Sequence, residues 1–278
     1  MIRKLLDRFI TRFVYQNPVR IFWIYRSFIW NSAIHDLRYR YVGSAIGVFW
    51  NILIPLAQIL IYTAVFSAIM PVRLPGSGAT NAFAIYLCAG LLPWLGFSEC
   101  ITRGTHCFLE NANYLKKLPI PEQVFVAQNA VSATLSLGVS MALLLAVAFA
   151  LGSNLTWAWL SVAPLVLLLQ CVGFGLGLIL GSLNVFFRDI GQVLPIALQM
   201  WMWLTPIVYL KEILPPALQR LQAFNIAYPF VDSLHGAIMQ GTWPALSSWG
   251  WMFCWALTAP LIGYVILRRL RPEIRDVL

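Results

Sequence analysis

The run Ala45-Ile-Gly-Val-Phe-Trp-Asn-Ile-Leu-Ile-Pro-Leu-Ala-Gln-Ile-Leu-Ile-Tyr-Thr-Ala-Val-Phe-Ser-Ala-Ile-Met70 contains no charged side chain. As a helix it extends about 39 Å, at roughly 1.5 Å per residue, against a bilayer hydrocarbon core of about 30 Å. Five more stretches read the same way: 82–102, 124–151, 157–183, 193–210 and 249–267. The whole chain is 60% hydrophobic and only 10% charged, where soluble domains carry roughly 25% charged residues. The reading is an all-α integral membrane protein in a single domain, residues 1–278. It has six transmembrane helices, an N-terminal interfacial amphipathic helix, and short re-entrant helices before the last span.

Around the first span the flanks are polar in a patterned way. Residues 3–14 place Leu5, Leu6, Phe9, Ile10 and Phe13 on one helical face and Arg3, Lys4, Asp7, Arg8 and Arg12 on the other; Asn17-Pro18 breaks the pattern. Residues 20–37 are aromatic and basic, with Arg20 and Arg26 among the rings. Arginine is costly at bilayer depth, so this segment reads as a helix lying in the interface, with 1–44 on the cytoplasmic side. Within the first span Asn51, Gln58, Tyr62 and Phe66 share one face. Such a face points either to a channel or to ordinary helix packing.

Farther along, Gly173, Gly177 and Gly181 recur every four residues inside the fourth span, a pattern for close helix approach and, at that depth, no phosphate loop. The segment 211–248 is too polar to span and too apolar for a plain loop, and is expected to form short helices dipping into the outer face. The five cysteines form no C-x-x-C pair and read as packing residues. The opening residues lack the pattern of a signal peptide.

Net charge is +9, which in a soluble protein would suggest nucleic acid. Here sixteen of the 19 lysines and arginines fall in segments on one side of the spans, leaving Arg73, Lys211 and Arg220 on the other. The positive-inside rule explains this: both termini are cytoplasmic, and no nucleic-acid partner is needed. The polar stretch Glu110-Asn-Ala-Asn-Tyr-Leu-Lys-Lys-Leu-Pro-Ile-Pro-Glu122 and the turn Arg188-Asp189 then face the cytoplasm together. No P-loop, no H-E-x-x-H and no His/Cys cluster occurs, and His35, His106 and His235 are scattered. Acidic residues are nearly absent from the spans, Glu99 lying at an end, paired with Arg103 at i, i+4. A proton-driven pump needs a titratable group at depth. The chain is therefore expected to be no enzyme, to hold no cofactor or metal, and to draw its energy from another subunit.

Several short pieces in a fixed order resemble the membrane subunit (permease) of ABC-2 type polysaccharide exporters, which move O-antigen, capsule or teichoic acid polymers. They are Arg38-Tyr-Arg-Tyr, Gly43, Gly47-Val-Phe-Trp50 and Pro55, then Ala89-Gly-Leu-Leu-Pro-Trp94, then Glu110-Asn-Ala-Asn113 with Lys116, Lys117 and Pro119. Asn184-Val-Phe-Phe-Arg188-Asp189-Ile and Leu204-Thr-Pro206-Ile-Val-Tyr209 complete the set. The resemblance implies a homodimer in the bacterial inner membrane, exporting a lipid-linked polysaccharide. It implies two copies of a separate ATPase chain, which would hold the ATP and Mg.

By the same resemblance, the coupling element against the ATPase comprises Glu110, Asn111, Asn113, Lys116, Lys117 and Pro119, with Arg188 and Asp189 nearby. The channel would run between subunits along the first and fifth spans, giving Asn51, Gln58, Tyr62, Phe66, Gln199, Trp201, Trp203 and Tyr209 as lining residues. Aromatic rings stack on the C–H faces of sugars, although lipid-interface anchoring places the same residue types. Two other functions stay open: an ABC-2 permease for a smaller lipid or drug, and a membrane glycolipid transferase, whose chemistry wants acidic groups that are scattered here.

Overall fold

A computed structural model describes residues 18–69, 82–118 and 120–277; the stretch 3–14, the turn 71–81 and Pro119 lie outside the described residues. All regular structure within them is helical. Helix α1 spans Pro18–Tyr39, α2 Trp50–Ile69, α3 Ala82–Glu110, α4 Ala112–Lys117 and α5 Glu122–Ala150. Then come α6 (Val162–Asn184), α7 (Asp189–Leu204), α8 (Pro216–Leu221), α9 (Tyr228–His235) and α10 (Leu246–Val277). Five stretches are long and apolar enough to cross a membrane: Gly47–Phe66, Ala82–Glu110, Glu122–Ala150, Trp157–Asn184 and Leu246–Ile274.

Helix α3 is the central post. Of its apolar window 78% is buried, against 11% for α2. Its partners fix the direction of every neighbour. Phe66 meets Phe83, while Asn51 and Glu99 line one cavity, so α2 runs antiparallel to α3. Gly96 lies against Leu137 and Arg103 against Asn129, so α5 is antiparallel as well. Gly173 packs on Phe97 and Cys100, and Gly181 on Gly104 and Phe108, so α6 runs parallel to α3. Gly175 meets Ala259 and Gly263 meets Leu178, which makes α10 parallel to α6.

The glycine pattern in the fourth span does what its spacing predicts. A Cβ on Gly104 would come within 2.7 Å of the Gly177 Cα, so the two backbones touch. Between lipid-embedded helices the hydrophobic effect adds little, because lipid tails are as apolar as leucine; close backbone approach supplies the dispersion energy instead.

The expected fifth span differs most. Helix α7 starts at Asp189 and stops at Leu204 after 16 residues, about 24 Å at the α-helical rise. It begins beside His106, which a Cβ on Gly191 would touch, and reaches only the level of Trp94, against which Trp201 packs. Since α6 and α10 run parallel, the chain between them must return along the bundle. The rest of that return is irregular chain and short helices. Pro206 follows the helix end and has no N–H to continue it.

Irregular backbone at such depth needs its polar groups satisfied by protein. Gln222 donates to the Leu204 carbonyl at 2.7 Å, and the Tyr86 hydroxyl donates to the Tyr209 carbonyl at 3.1 Å. The segment after α7 forms several short helices, as expected for 211–248. The last helix is longer than its apolar run: α10 continues to Val277 through Arg268, Arg269 and Arg271, where the sequence reading ends the span at Leu267.

Candidate coupling and transport site

At the charged end of the bundle, four ionised side chains from α1, α3 and the residue after α1 form one cluster. Arg103 donates to Asp36 at 2.7 Å and lies 3.6 Å from Glu99. Arg40 lies 2.7 Å from Glu99 and 3.2 Å from Asp36. Two carboxylates and two guanidiniums alternate, so the cluster is neutral as a whole. Helix α5 completes it: the Ser132 hydroxyl donates to Asp36 at 2.6 Å and accepts from Arg40 and Arg103, while Asn129 accepts from Arg103 at 3.2 Å. Burial pushes the Asp36 carboxyl up, but the Ser132 hydrogen bond and the Arg103 and Arg40 charges outweigh it and hold the group below its ordinary value. The i, i+4 pair read from the sequence is thus the longer contact; both members find closer partners across helices.

Within the polar stretch Ala112–Lys117 form α4, with a short break before it. The Asn111 amide donates back to the Cys107 carbonyl at 2.9 Å, closing the end of α3 and separating it from α4. Asn111 is therefore tied into the break. Leu115 is buried and anchors α4, whereas Glu110, Asn113, Tyr114, Lys116, Lys117 and Leu118 are exposed. Lys116 and Lys117 sit in the last turn, where cations suit the helix dipole. Pro119 lies outside the described residues.

Arg188 and Asp189 are exposed, with Phe187 beside them. Buried Asn184 holds their turn: its amide donates to the Thr105 carbonyl at 3.1 Å and its oxygen accepts from Gly191 N–H at 3.0 Å. The turn is fastened to α3 five residues before Glu110. Glu110–Leu118 and Arg188-Asp189 therefore share one end of the bundle.

The proposed lining residues do not share one surface. Asn51 and Gln58 line a half-open cavity of about 210 Å³ between α2, α3 and α5, shared with Arg40, Glu99, Ser136 and Ser140. Tyr62 and Phe66 pack inward, Phe66 on Phe83 at 5.3 Å between ring centres. Trp201 lies edge-on to Trp94 and Phe97 at 5.5 and 5.6 Å and donates to Asn225 at 2.9 Å, so it is part of the packed interior. Gln199 and Trp203 are exposed on α7. Most of that helix is bare: it docks through Gly191, Leu194 and Leu198 and leaves Val193, Ile196, Met200 and Trp203 uncovered. Tyr209 donates its hydroxyl to the Trp203 carbonyl at 2.7 Å.

The opposite end holds a polar cavity of about 220 Å³, lined among others by Lys211, Asp232, His235 and Trp243. Lys211 and Asp232 pair at 3.1 Å. The buried His235 ring stacks on Tyr86 at 3.8 Å. Sequence reasoning missed Asp36, Asn129, Ser132, Gln222 and Asn225, and met Arg40 and Asn184 only inside longer motifs, without a role. Asp36 and Arg40 stand at i, i+4, a local signal that could have been read; the links from Asp36 to Arg103 and Ser132, from Asn184 to Thr105, and from Asn225 to Trp201 reach at least twenty residues along the chain, and no local spacing marks them. Among the described residues no group of three His, Cys, Asp or Glu side chains could hold a metal ion.

A bundle with five helices long and apolar enough to cross a membrane among the described residues, and with basic residues gathered at one end, defines a multi-pass membrane protein. Residues 30–239 match the ABC-2 type transporter family, and the chain belongs to it. The chain is 27% identical over 208 residues to the O-antigen export system permease protein RfbA of Klebsiella pneumoniae, covering 74% of this chain and 78% of that one. With the RfbA protein of Myxococcus xanthus it shares 31% over 193 residues, 69% of this chain and 71% of the other. With the polysialic acid transport protein KpsM of Escherichia coli it shares 24% over 245 residues, 84% and 90% of the two chains.

Proposed function

We propose that this chain is the channel-forming subunit of an ATP-driven exporter that moves a lipid-linked polysaccharide across the bacterial inner membrane. O-antigen is the first choice of polymer and capsule the second. Two copies form the channel. Each crosses six times, α7 and the segment after it making the fifth crossing, and both termini are cytoplasmic. ATP and Mg belong to two copies of a separate ATPase chain. The names of the relatives, O-antigen export and polysialic acid transport, support the polymer class.

One observation carries the coupling role: Leu115 pins α4 while Asn113, Tyr114, Lys116 and Lys117 stay exposed, at the same end as exposed Arg188 and Asp189. A docking partner needs a surface that is offered outward and rigidly backed. The test is export in vesicles holding this chain and its ATPase. Replacing both Lys116→Glu and Lys117→Glu is expected to cut export by about tenfold, the equivalent of ~1.4 kcal/mol of lost interaction. Membrane level should be unchanged, with a C-terminal reporter still cytoplasmic. Normal export by that variant would refute the role.

A further inference from the structure

Helix α10 has 32 residues, about 48 Å of helix, while the hydrocarbon layer is about 30 Å thick. Its last turns therefore extend past the apolar layer, and they are fastened down. Leu267 and Ile274 are fully buried in a second apolar cluster at the charged end. That cluster contains Leu115 of α4, Cys107 and Phe108 from the end of α3, and Val185 from the turn before α7. The tail thus shares one small core with the exposed coupling surface.

Within this core Arg271 reaches the end of the polar stretch. Its Nε lies 2.9 Å from Glu122 Oε2, and its Nη2 donates to Gln123 Oε1 at 2.9 Å. Glu122 is wholly buried and the Arg271 side chain only 18% exposed. A carboxylate taken out of water at this cost needs its guanidinium, and the planar fork of arginine serves both acceptors at once. Glu122 is also the first residue of α5, where the helix dipole favours its charge. Helix α4 is thus held at both sides: by Asn111 where α3 ends, and by Arg271 where α5 begins.

We infer that Arg271 is a positioning residue for coupling: by clamping Glu122 and Gln123 it fixes the far end of the α4 segment. A push on α4 then reaches α3, α5 and α10 instead of being absorbed where α5 begins. The inference rests on the proposed coupling role of α4 and names a residue about 150 positions away from it.

The experiment measures polymer exported per ATP hydrolysed in the complete complex, with thermal stability and ATPase co-purification recorded in parallel. Arg271→Gln is expected to lower that ratio about tenfold while the ATPase still co-purifies and hydrolyses ATP. Arg271→Lys should keep most of the ratio. Glu122→Gln should match Arg271→Gln, and the double variant should fall no further than either single one, as expected of one shared interaction. A normal ratio in Arg271→Gln, or losses that multiply in the double variant, would overturn the inference. If Arg271→Gln does not accumulate, Arg271→Lys and Glu122→Gln decide by the same ratio. If Lys116→Glu with Lys117→Glu uncouples export but Arg271→Gln does not, only the tail inference falls. If neither variant uncouples, the coupling role of α4 falls with it.

Discussion

Arg103 and Asp36, 67 positions apart in the chain, meet at 2.7 Å and join α3 to α1. Each also belongs to a four-charge cluster, so removing one member leaves an opposite charge short of a partner. Asp36→Asn is expected to lower stability by about 1.5–3 kcal/mol, the range for a hydrogen bond to a charged group, read from thermal unfolding in detergent. The Asp36 carboxyl lies below its ordinary 3.8. Its contribution is therefore complete above that value and is lost as pH falls through the lower folded one. The acid limb of the stability curve should flatten in Asp36→Asn, and an unchanged limb would show that other carboxylates govern it.

His235 is pushed below its ordinary 6.5, first by burial and then by the Lys211 charge, with a backbone hydrogen bond to Tyr86 opposing. The buried ring is neutral, so the folded chain binds fewer protons than the unfolded one. Stability should be full above pH 6.5 and fall as the pH drops below it. His235→Phe keeps a ring against Tyr86 and removes the titration, so thermal unfolding at pH 5 and 7.5 should differ less in the variant than in the wild type.

Gly104→Ala drives a Cβ into the Gly177 backbone, 2.7 Å from its Cα, with no flexible side chain to give way. The expected cost is about 1–3 kcal/mol, the range for overpacking. Gly138 has nothing within 4 Å of such a Cβ. Gly138→Ala is the matched control and should leave the unfolding temperature unchanged or higher.

Asn225 accepts from Trp201 and from Ala227 N–H, and donates to Thr205 and Gln222. It ties the end of α7 to the segment beyond it. Asn225→Ala leaves the Trp201 N–H without its acceptor and should cost about 1–3 kcal/mol. Proteolysis of the 205–227 segment should speed up in this variant.

The spans around Ala45–Met70, Val124–Leu151 and Trp157–Leu183 were legible because lipid imposes one simple rule, a long run without charge. The glycine pattern at 173, 177 and 181 was legible because a helix places every fourth residue on one side. The end of α7 was harder to read. Val193–Leu210 carries no charged side chain, yet the helix stops at Leu204 because Gln222, Asn225 and Tyr86, all distant in sequence, supply the hydrogen bonds that let the backbone break. Trp201 shows the same limit: its residue type suits a sugar path, a lipid interface and a packed core equally.

The sequence by itself determined an all-helical membrane protein with its basic residues collected on one side, since hydropathy and charge act residue by residue. Only the tertiary structure decided which polar residues meet. Asp36 with Arg103, Asn184 with Thr105 and Arg271 with Glu122 are paired by the way parallel and antiparallel helices stack around α3. Contacts between helices depend on that arrangement, and no local pattern of residues encodes it.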